Sequence, residues 1–509
     1  MKRFKLPLHL LFSLIFSITF LYNCTENEET IIQEVEQPEE AEPVTLNNDV
    51  NDFVWAGLNE VYLWQQDVPD LADDKFETFD EYYTFLNGYN TPESLFDDLL
   101  YQKDVVDRFS YIVDDYIELE NSFQGTSNSN GLDFGLVRLS GSNDIFGYVR
   151  YVANDSDAAS KDIKRGDFFL SVDGQQLTIN NYVDLLFGSN NTYTLGMAEI
   201  NNNTIAENGK TVELTKTEFT ENPILLNNVI ESNGIKIGYL MYNSFVANFD
   251  KQLNTAVGEL KSNGITELVL DLRYNPGGSV SSAIYLSSMI TGQFNGEIFS
   301  KEKWNDKYQA YFEANNPEFL INRFSNKLSD DTVINSLNLN KVYILTTESS
   351  ASASELVINC LRPYIDVVQI GTNTTGKYTA SVTLYDSPNF GREEANPDHT
   401  YALQPLVLKS ANKNGETDYF EGLTPDYTIT YDSGSGQTSE GENLVDLGIL
   451  GDINEPFLAK AISLITGVTS KLNYKKPTMG VEVKALADTK DFTPLGKGMY
   501  KNVKLNIKL

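Results

Sequence analysis

From Asn227 to about Gly467 the chain alternates short apolar runs with longer helix-like stretches, and this alternation restricts its fold more than any other feature. GIKIGYLMYN and TELVLDLR read as strands on either side of the helix-like NFDKQLNTAVGELKSNG. VSSAIYLSSMI reads as a helix, KVYILTTE as a strand, SASELVINCLRPY as a helix and VVQIGT as another strand, and the helix EPFLAKAISLITG closes the region. Strands regularly interrupted by helices predict an α/β layer architecture over residues 220–467. Between one helix and the next strand, residues 298–335 form an aromatic, charged insertion, and cover over a cleft is the expected role.

A chain of 509 residues exceeds what one hydrophobic core sustains, so further domains are expected on either side. Residues 48–124 carry helical spacing: DFVWAGLNEVYLW sets Val54, Leu58, Val61 and Tyr62 near one face, and TPESLFDDLL opens with Thr91, Pro92 and Glu93 as a helix N-terminus. Residues 125–219 change to short β-runs with turns, FGLVRL, FGYVRYV, RGDFFLSVDG and TVELTKTEF. Residues 468–509 form an extension that either adds an edge strand or stays loose. The class expected is multidomain α+β.

Residues 1–23 join a basic start (Lys2, Arg3, Lys5) to an apolar run too short to span a bilayer, and they read as a signal peptide. The run ends at Cys24, which resembles the lipidated cysteine of a bacterial lipoprotein. Leu21 fits that pattern, while Tyr22 and Asn23 depart from its usual small residues. Residues 24–47 are acidic and proline-bearing, as expected of a disordered tether. These features predict a bacterial cell-envelope protein held at the outer membrane by a lipid anchor, facing the periplasm or the surface. The formal charge of −34 argues against nucleic-acid binding. The other cysteine, Cys360, lies in an apolar segment as a small buried hydrophobe, and thiolate zinc sites are excluded for lack of ligands.

Four serines fall within six positions at Ser349, Ser350, Ser352 and Ser354, just ahead of a helix. A serine nucleophile needs an adjacent base. The chain has only two histidines: His9 in the signal peptide and His399 in a polar loop, so a Ser-His-Asp triad is improbable on inventory. A buried lysine can serve instead, because burial disfavours the ammonium form. Lys377, after Gly376 in IGTNTTGKY, is the candidate. The same stretch does not fit a phosphate-binding loop, since Tyr378 stands where a hydroxyl must bind magnesium.

Two resemblances add to this reading. Asp157-Ala158-Ala159, Gly166-Asp167 and Val172-Asp173-Gly174 follow the signature of PDZ domains, which bind peptides by strand addition. The resemblance implies a peptide-binding loop at Phe134, Gly135 and Leu136. DLRYNPGG (271–278), SASASE (350–355) and TGK (375–377) resemble the carboxy-terminal processing, or tail-specific, proteases of peptidase family S41. That family implies an α/β core of the crotonase/ClpP-like kind, with Ser352 as nucleophile and Lys377 as its base. Oxyanion donors are implied at Ala353 and at Gly277 or Gly278. Many members carry a glutamine four residues after the lysine; here Ser381 stands there as possible support for the dyad. The substrates implied are polypeptides with free C-termini, with no metal or cofactor. The alternative is a non-catalytic, peptide-binding envelope lipoprotein that keeps the fold.

Overall fold

A computed structural model describes residues 42–201, 204–432, 438–468 and 482–501. The signal peptide (1–23), the lipidation site Cys24 and most of the tether lie outside the described residues. Among those described, no helix is long and apolar enough to cross a membrane.

Four helices come first: α1 (Asp49–Val61), α2 (Phe79–Leu86), α3 (Pro92–Asp98) and α4 (Tyr116–Phe123). The side chains of Asn48, Thr78, Thr91 and Asp115 each accept a first-turn amide, which fixes where the helices start. Val54, Leu58, Val61 and Tyr62 are fully buried, so the face read from the sequence is the packed one. The tether ends before residue 47: the amides of Val44 and Asn47 donate to Asp80 at 3.0 Å and Asn87 at 2.8 Å.

An antiparallel sheet follows, made of β1 (Leu132–Leu139), β2 (Ile145–Val152), β3 (Phe168–Val172), β4 (Thr192–Asn201) and β5 (Thr204–Thr215). A short helix, α5 (Tyr182–Phe187), precedes β4. Phe134, Leu136, Phe169 and Leu195 share the core of this unit. Phe134, Gly135 and Leu136 are therefore not a loop: they lie inside β1 and pair with β2. The run LDFGLV sets Leu132, Phe134 and Leu136 on one face, packed in one core, and that alternation is a strand's.

The third region supplies β6 (Ile224–Ser232), β7 (Ile235–Tyr242), α6 (Asp250–Ser262), β8 (Glu267–Asp271), β9 (Gly278–Ser279) and α7 (Val280–Thr291). It continues with β10 (Ile298–Trp304), α8 (Asp306–Asn315), β11 (Ile321–Arg323), β12 (Lys341–Thr346), α9 (Ala353–Leu361) and β13 (Asp366–Gly371). Then come β14 (Thr379–Ser381), β15 (Leu406–Asn412), β16 (Tyr427–Thr428) and α10 (Pro456–Thr466). The extension adds β17 (Val483–Asp488) and β18 (Met499–Tyr500). One sheet runs β6-β7-β8-β12-β13-β16, parallel except for the β6–β7 pair. The other runs β9-β18-β14-β15-β10-β11.

One expectation changes here and another is met and extended. Residues 298–335 do not simply cover a cleft. β10 and β11 complete the second sheet, and α8 braces the helical domain through Lys307 to the Asn59 carbonyl at 3.0 Å and Tyr308 to Glu60 at 3.1 Å. Of the extension, the described residues 482–501 add the expected edge strand, with β17 beside β1 of the antiparallel sheet, and also place β18 inside the second sheet.

Candidate active site

Because β8, β12 and β13 are parallel neighbours, the turns at their C-terminal ends meet on one side of the sheet, where α/β folds place their sites. These turns carry Asn275 to Gly278, Ser350 to Ser352, and Thr374 to Lys377.

The four serines divide by what each hydroxyl touches. Ser350 donates to the Leu272 carbonyl at 2.8 Å and Ser354 to the Asn275 carbonyl at 3.0 Å, tying the serine turn to the turn after β8. Ser349 donates to Asp488 at 2.9 Å and accepts from Arg150 at 3.0 Å. Ser352 Oγ is buried and has no hydrogen-bond partner among the described residues. Its backbone lies at φ 65°, ψ −113°, a strained geometry for a residue with a side chain, at the junction of the turn and α9. Three serines build the turn and the fourth is presented by it.

Glu355 stands in the first turn of α9, where an acid suits the helix dipole. It does more. Its carboxylate accepts from the amides of Ser352 and Lys377 at 2.6 and 2.8 Å through Oε2, and from the Gly376 amide and the Thr374 hydroxyl at 2.7 and 2.5 Å through Oε1. Burial pushes this carboxyl up to about 7, while the four hydrogen bonds pull the other way. All four partners donate, and their pull offsets only part of what burial costs the ionised form.

Lys377 is 1% exposed, and its Nζ lies 4.8 Å from the Phe109 ring centroid. Its loop is clamped from the helical domain, where Arg108 donates to the Gly376 carbonyl at 2.8 Å and to Phe420 at 3.2 Å. No local pattern in the sequence marked Arg108 for this. Gly376 (φ 89°) and Gly422 (φ 83°) allow the loop and the 420–426 turn to touch backbone to backbone. A Cβ on either would come within 2.0 Å of a carbonyl oxygen across the contact.

Of the proposed oxyanion donors, Gly277 needs correction. Its amide donates to Asn275 Oδ1 at 2.9 Å, so that N–H is already committed. Its own contribution is space: a Cβ there would sit 2.8 Å from Ser352 Oγ and 2.9 Å from the Ala353 nitrogen. Ala353 opens α9, where amides lack intrahelical partners. Gly278 lies in β9 at φ 131°. Ser381 donates to Gln404 Oε1 at 2.7 Å and lies 3.2 Å from the Met499 carbonyl, so its hydroxyl is turned toward a glutamine from elsewhere in the chain. His399 is held at 3.1 Å from Asp386 and accepts from the Tyr401 amide, a structural arrangement. Cys360 is fully buried in α9.

Residues 236–429 match the family model described as Peptidase family S41, and residues 49–111 match the Peptidase S41 N-terminal domain, together just over half of the chain. A carboxyl-terminal-processing protease of Picosynechococcus sp. is 25% identical over 248 residues, covering 45% of this chain and 54% of the relative. A carboxy-terminal-processing protease of Bartonella bacilliformis is 27% identical over 282 residues, covering 52% and 56%. The chain thus spans about half the length of each. A crystal structure assigned to the S41 proteases, from Bacteroides fragilis, is 24% identical with a TM-score of 0.61, and covers 85% of this chain and all of that one, which shows a shared fold.

Proposed function

Because this chain belongs to peptidase family S41, we propose that it is a serine-type endopeptidase that cleaves polypeptides near their C-termini. Ser352 Oγ attacks the scissile carbonyl and its proton passes to the amine of Lys377. The tetrahedral oxyanion is held by the Ala353 and Gly278 amides. Collapse expels the amine product, which takes the proton, and leaves an acyl group on Ser352. Lys377 then activates the water that releases it. Burial disfavours an ammonium and so favours an amine able to accept the seryl proton. Glu355, Gly277 and Arg108 act as positioning residues.

The observation that carries this reading is the pairing of a bare, buried Ser352 hydroxyl with a serine backbone tied to that of Lys377 through one carboxylate. The antiparallel sheet at 132–215 acts in this reading as a PDZ-like domain that receives the substrate's tail beside β1. The reading also carries a lipid anchor at Cys24 and a place at the outer membrane of a bacterial envelope, which rest on the sequence. The test is to incubate wild type and Ser352→Ala with unfolded proteins and identify new C-termini by mass spectrometry. New C-termini from the wild type alone support the proposal, and identical products from both refute it.

A further inference from the structure

The segment from residue 482 to 501 occupies both places a substrate of such an enzyme would contact, meeting the β1 edge first and the cleft second, the reverse of the order in which a bound C-terminal tail would run. β17 adds to the free edge of β1 in antiparallel register, from Val483 opposite Leu139 to Asp488 opposite Gly135. This is peptide recognition by strand addition, performed within one chain. Just beyond it, Phe492 stacks on Phe187 of α5, with ring centroids 3.9 Å apart. The segment then crosses to the cleft, where β18 lies between β9 and β14, parallel to both. β9 begins at Gly278 beside the nucleophile turn, and β14 starts two residues after Lys377. A strand held between these two occupies the path of a peptide between nucleophile and base. Its backbone is engaged as a peptide's would be: the Lys501 amide donates to the Ser381 carbonyl at 3.0 Å.

Its side chains enter two built pockets. Tyr500 is 3% exposed, stacks on Phe123 at 4.1 Å, and brings its phenol into the field of Asp250. Lys501 Nζ meets both carboxylate oxygens of Glu302, at 2.9 and 2.8 Å, and lies 4.4 Å from the Phe319 ring centroid. The Glu302 side chain is 1% exposed and also accepts from Trp304 and Asn322. Among the described residues its ion pair is with Lys501. A carboxylate buried this deeply is stabilised by a cation beside it, so the body of the fold carries a lysine-accepting pocket that residue 501 fills.

Resting on the reading of Ser352 as the nucleophile, we propose that residues 483–501 are a substrate mimic bound in cis, and that the Tyr500 and Lys501 pockets select extended peptides with an aromatic residue followed by lysine. The segment then competes with incoming substrate at both the β1 edge and the cleft, and Asp488 fastens it by accepting from Arg150 at 2.6 Å.

The test reads binding rather than turnover, in full-length Ser352→Ala chain, with a fluorescent synthetic peptide of residues 483–501. Loosening the segment with Tyr500→Ala and Lys501→Glu should tighten peptide binding about tenfold or more, and the milder Lys501→Gln about threefold. Adding Glu302→Lys to the loosened chain should abolish the gain, and a peptide carrying Lys501→Glu should restore it. Equal binding by parent and loosened chains, or indifference to the charge at Glu302, would overturn the proposal and leave the segment a structural strand. If the double variant does not fold, Lys501→Gln decides on the same criterion. Catalytic failure is read separately, by covalent labelling of Ser352.

Discussion

The backbone amides of Ser352 and Lys377 donate to the same carboxylate oxygen, Glu355 Oε2, at 2.6 and 2.8 Å. Residues twenty-five apart in sequence thus have amide nitrogens closer together than the sum of those two lengths. The relative placement of the proposed nucleophile and base is held by a residue that is neither.

Replacing that carboxylate should therefore disable the site without touching either reacting group. Glu355→Gln puts an amide N–H where the pocket offers only donors, leaving buried groups unsatisfied at a cost of about 3 kcal/mol. Activity should fall about a hundredfold or more, read as kcat/KM on a peptide substrate. Near-wild-type turnover would show that the bridge does not position the dyad.

Glu355 also predicts a pH signature. Its carboxyl is raised from 4.5 to about 7, so it binds its proton more tightly in the folded state than in the unfolded. Its stabilising contribution is full below about 4.5 and is lost as pH rises toward 7. Denaturant titrations from about pH 4.5 to 8 should show wild type losing about 3 kcal/mol relative to Glu355→Gln, which has no such proton. Parallel curves for the two proteins would contradict the assignment.

The serine turn offers a comparison within one motif. Ser354→Ala removes one buried hydrogen bond, to the Asn275 carbonyl, and Ser350→Ala removes two, to the Leu272 carbonyl and from the Thr347 amide. Each bond lost should cost about 1 kcal/mol in thermal or chemical unfolding, with reactivity at Ser352 retained. Ser352→Ala removes a hydroxyl with no partner among the described residues, so stability should hold while activity drops several hundredfold or more. A reversed pattern would move the nucleophile to another serine.

Gly277→Ala tests the space beside Ser352. The new Cβ would lie 2.6 Å from Ser352 Cβ, at a backbone φ of 111° that disfavours any side chain. Strain of about 1–3 kcal/mol and a loss of most activity are expected, by calorimetry and peptide assay. Full activity would mean that the turn can shift without consequence.

Much of the architecture was legible because it is written in local periodicity. The strand–helix alternation after Asn227 and the buried face of α1 both follow from side-chain spacing alone. The motif pieces around Ser352 and Lys377 were legible as chemistry, since a chain with two histidines narrows the choice of base. Three features escaped because they depend on contacts between distant residues. Glu355 looks like an ordinary first-turn acid until the 374–377 loop is brought against it. The Gly277 amide looks available until Asn275 turns back to it. The extension gives no sign that its Asp488 meets Arg150 or that its Lys501 meets Glu302. Phe134 to Leu136 was misjudged for a different reason: a motif suggested a loop where the apolar pattern supports a strand.

The central claim is that Ser352 is a nucleophile activated by Lys377, and covalent labelling tests it most directly. Full-length protein is treated with a fluorophosphonate and the modified residue located by mass spectrometry. The account predicts a single adduct on Ser352, absent from Lys377→Ala protein that retains its wild-type circular dichroism. An adduct on a different serine, or labelling of Ser352 that persists at the same rate without Lys377, would contradict it.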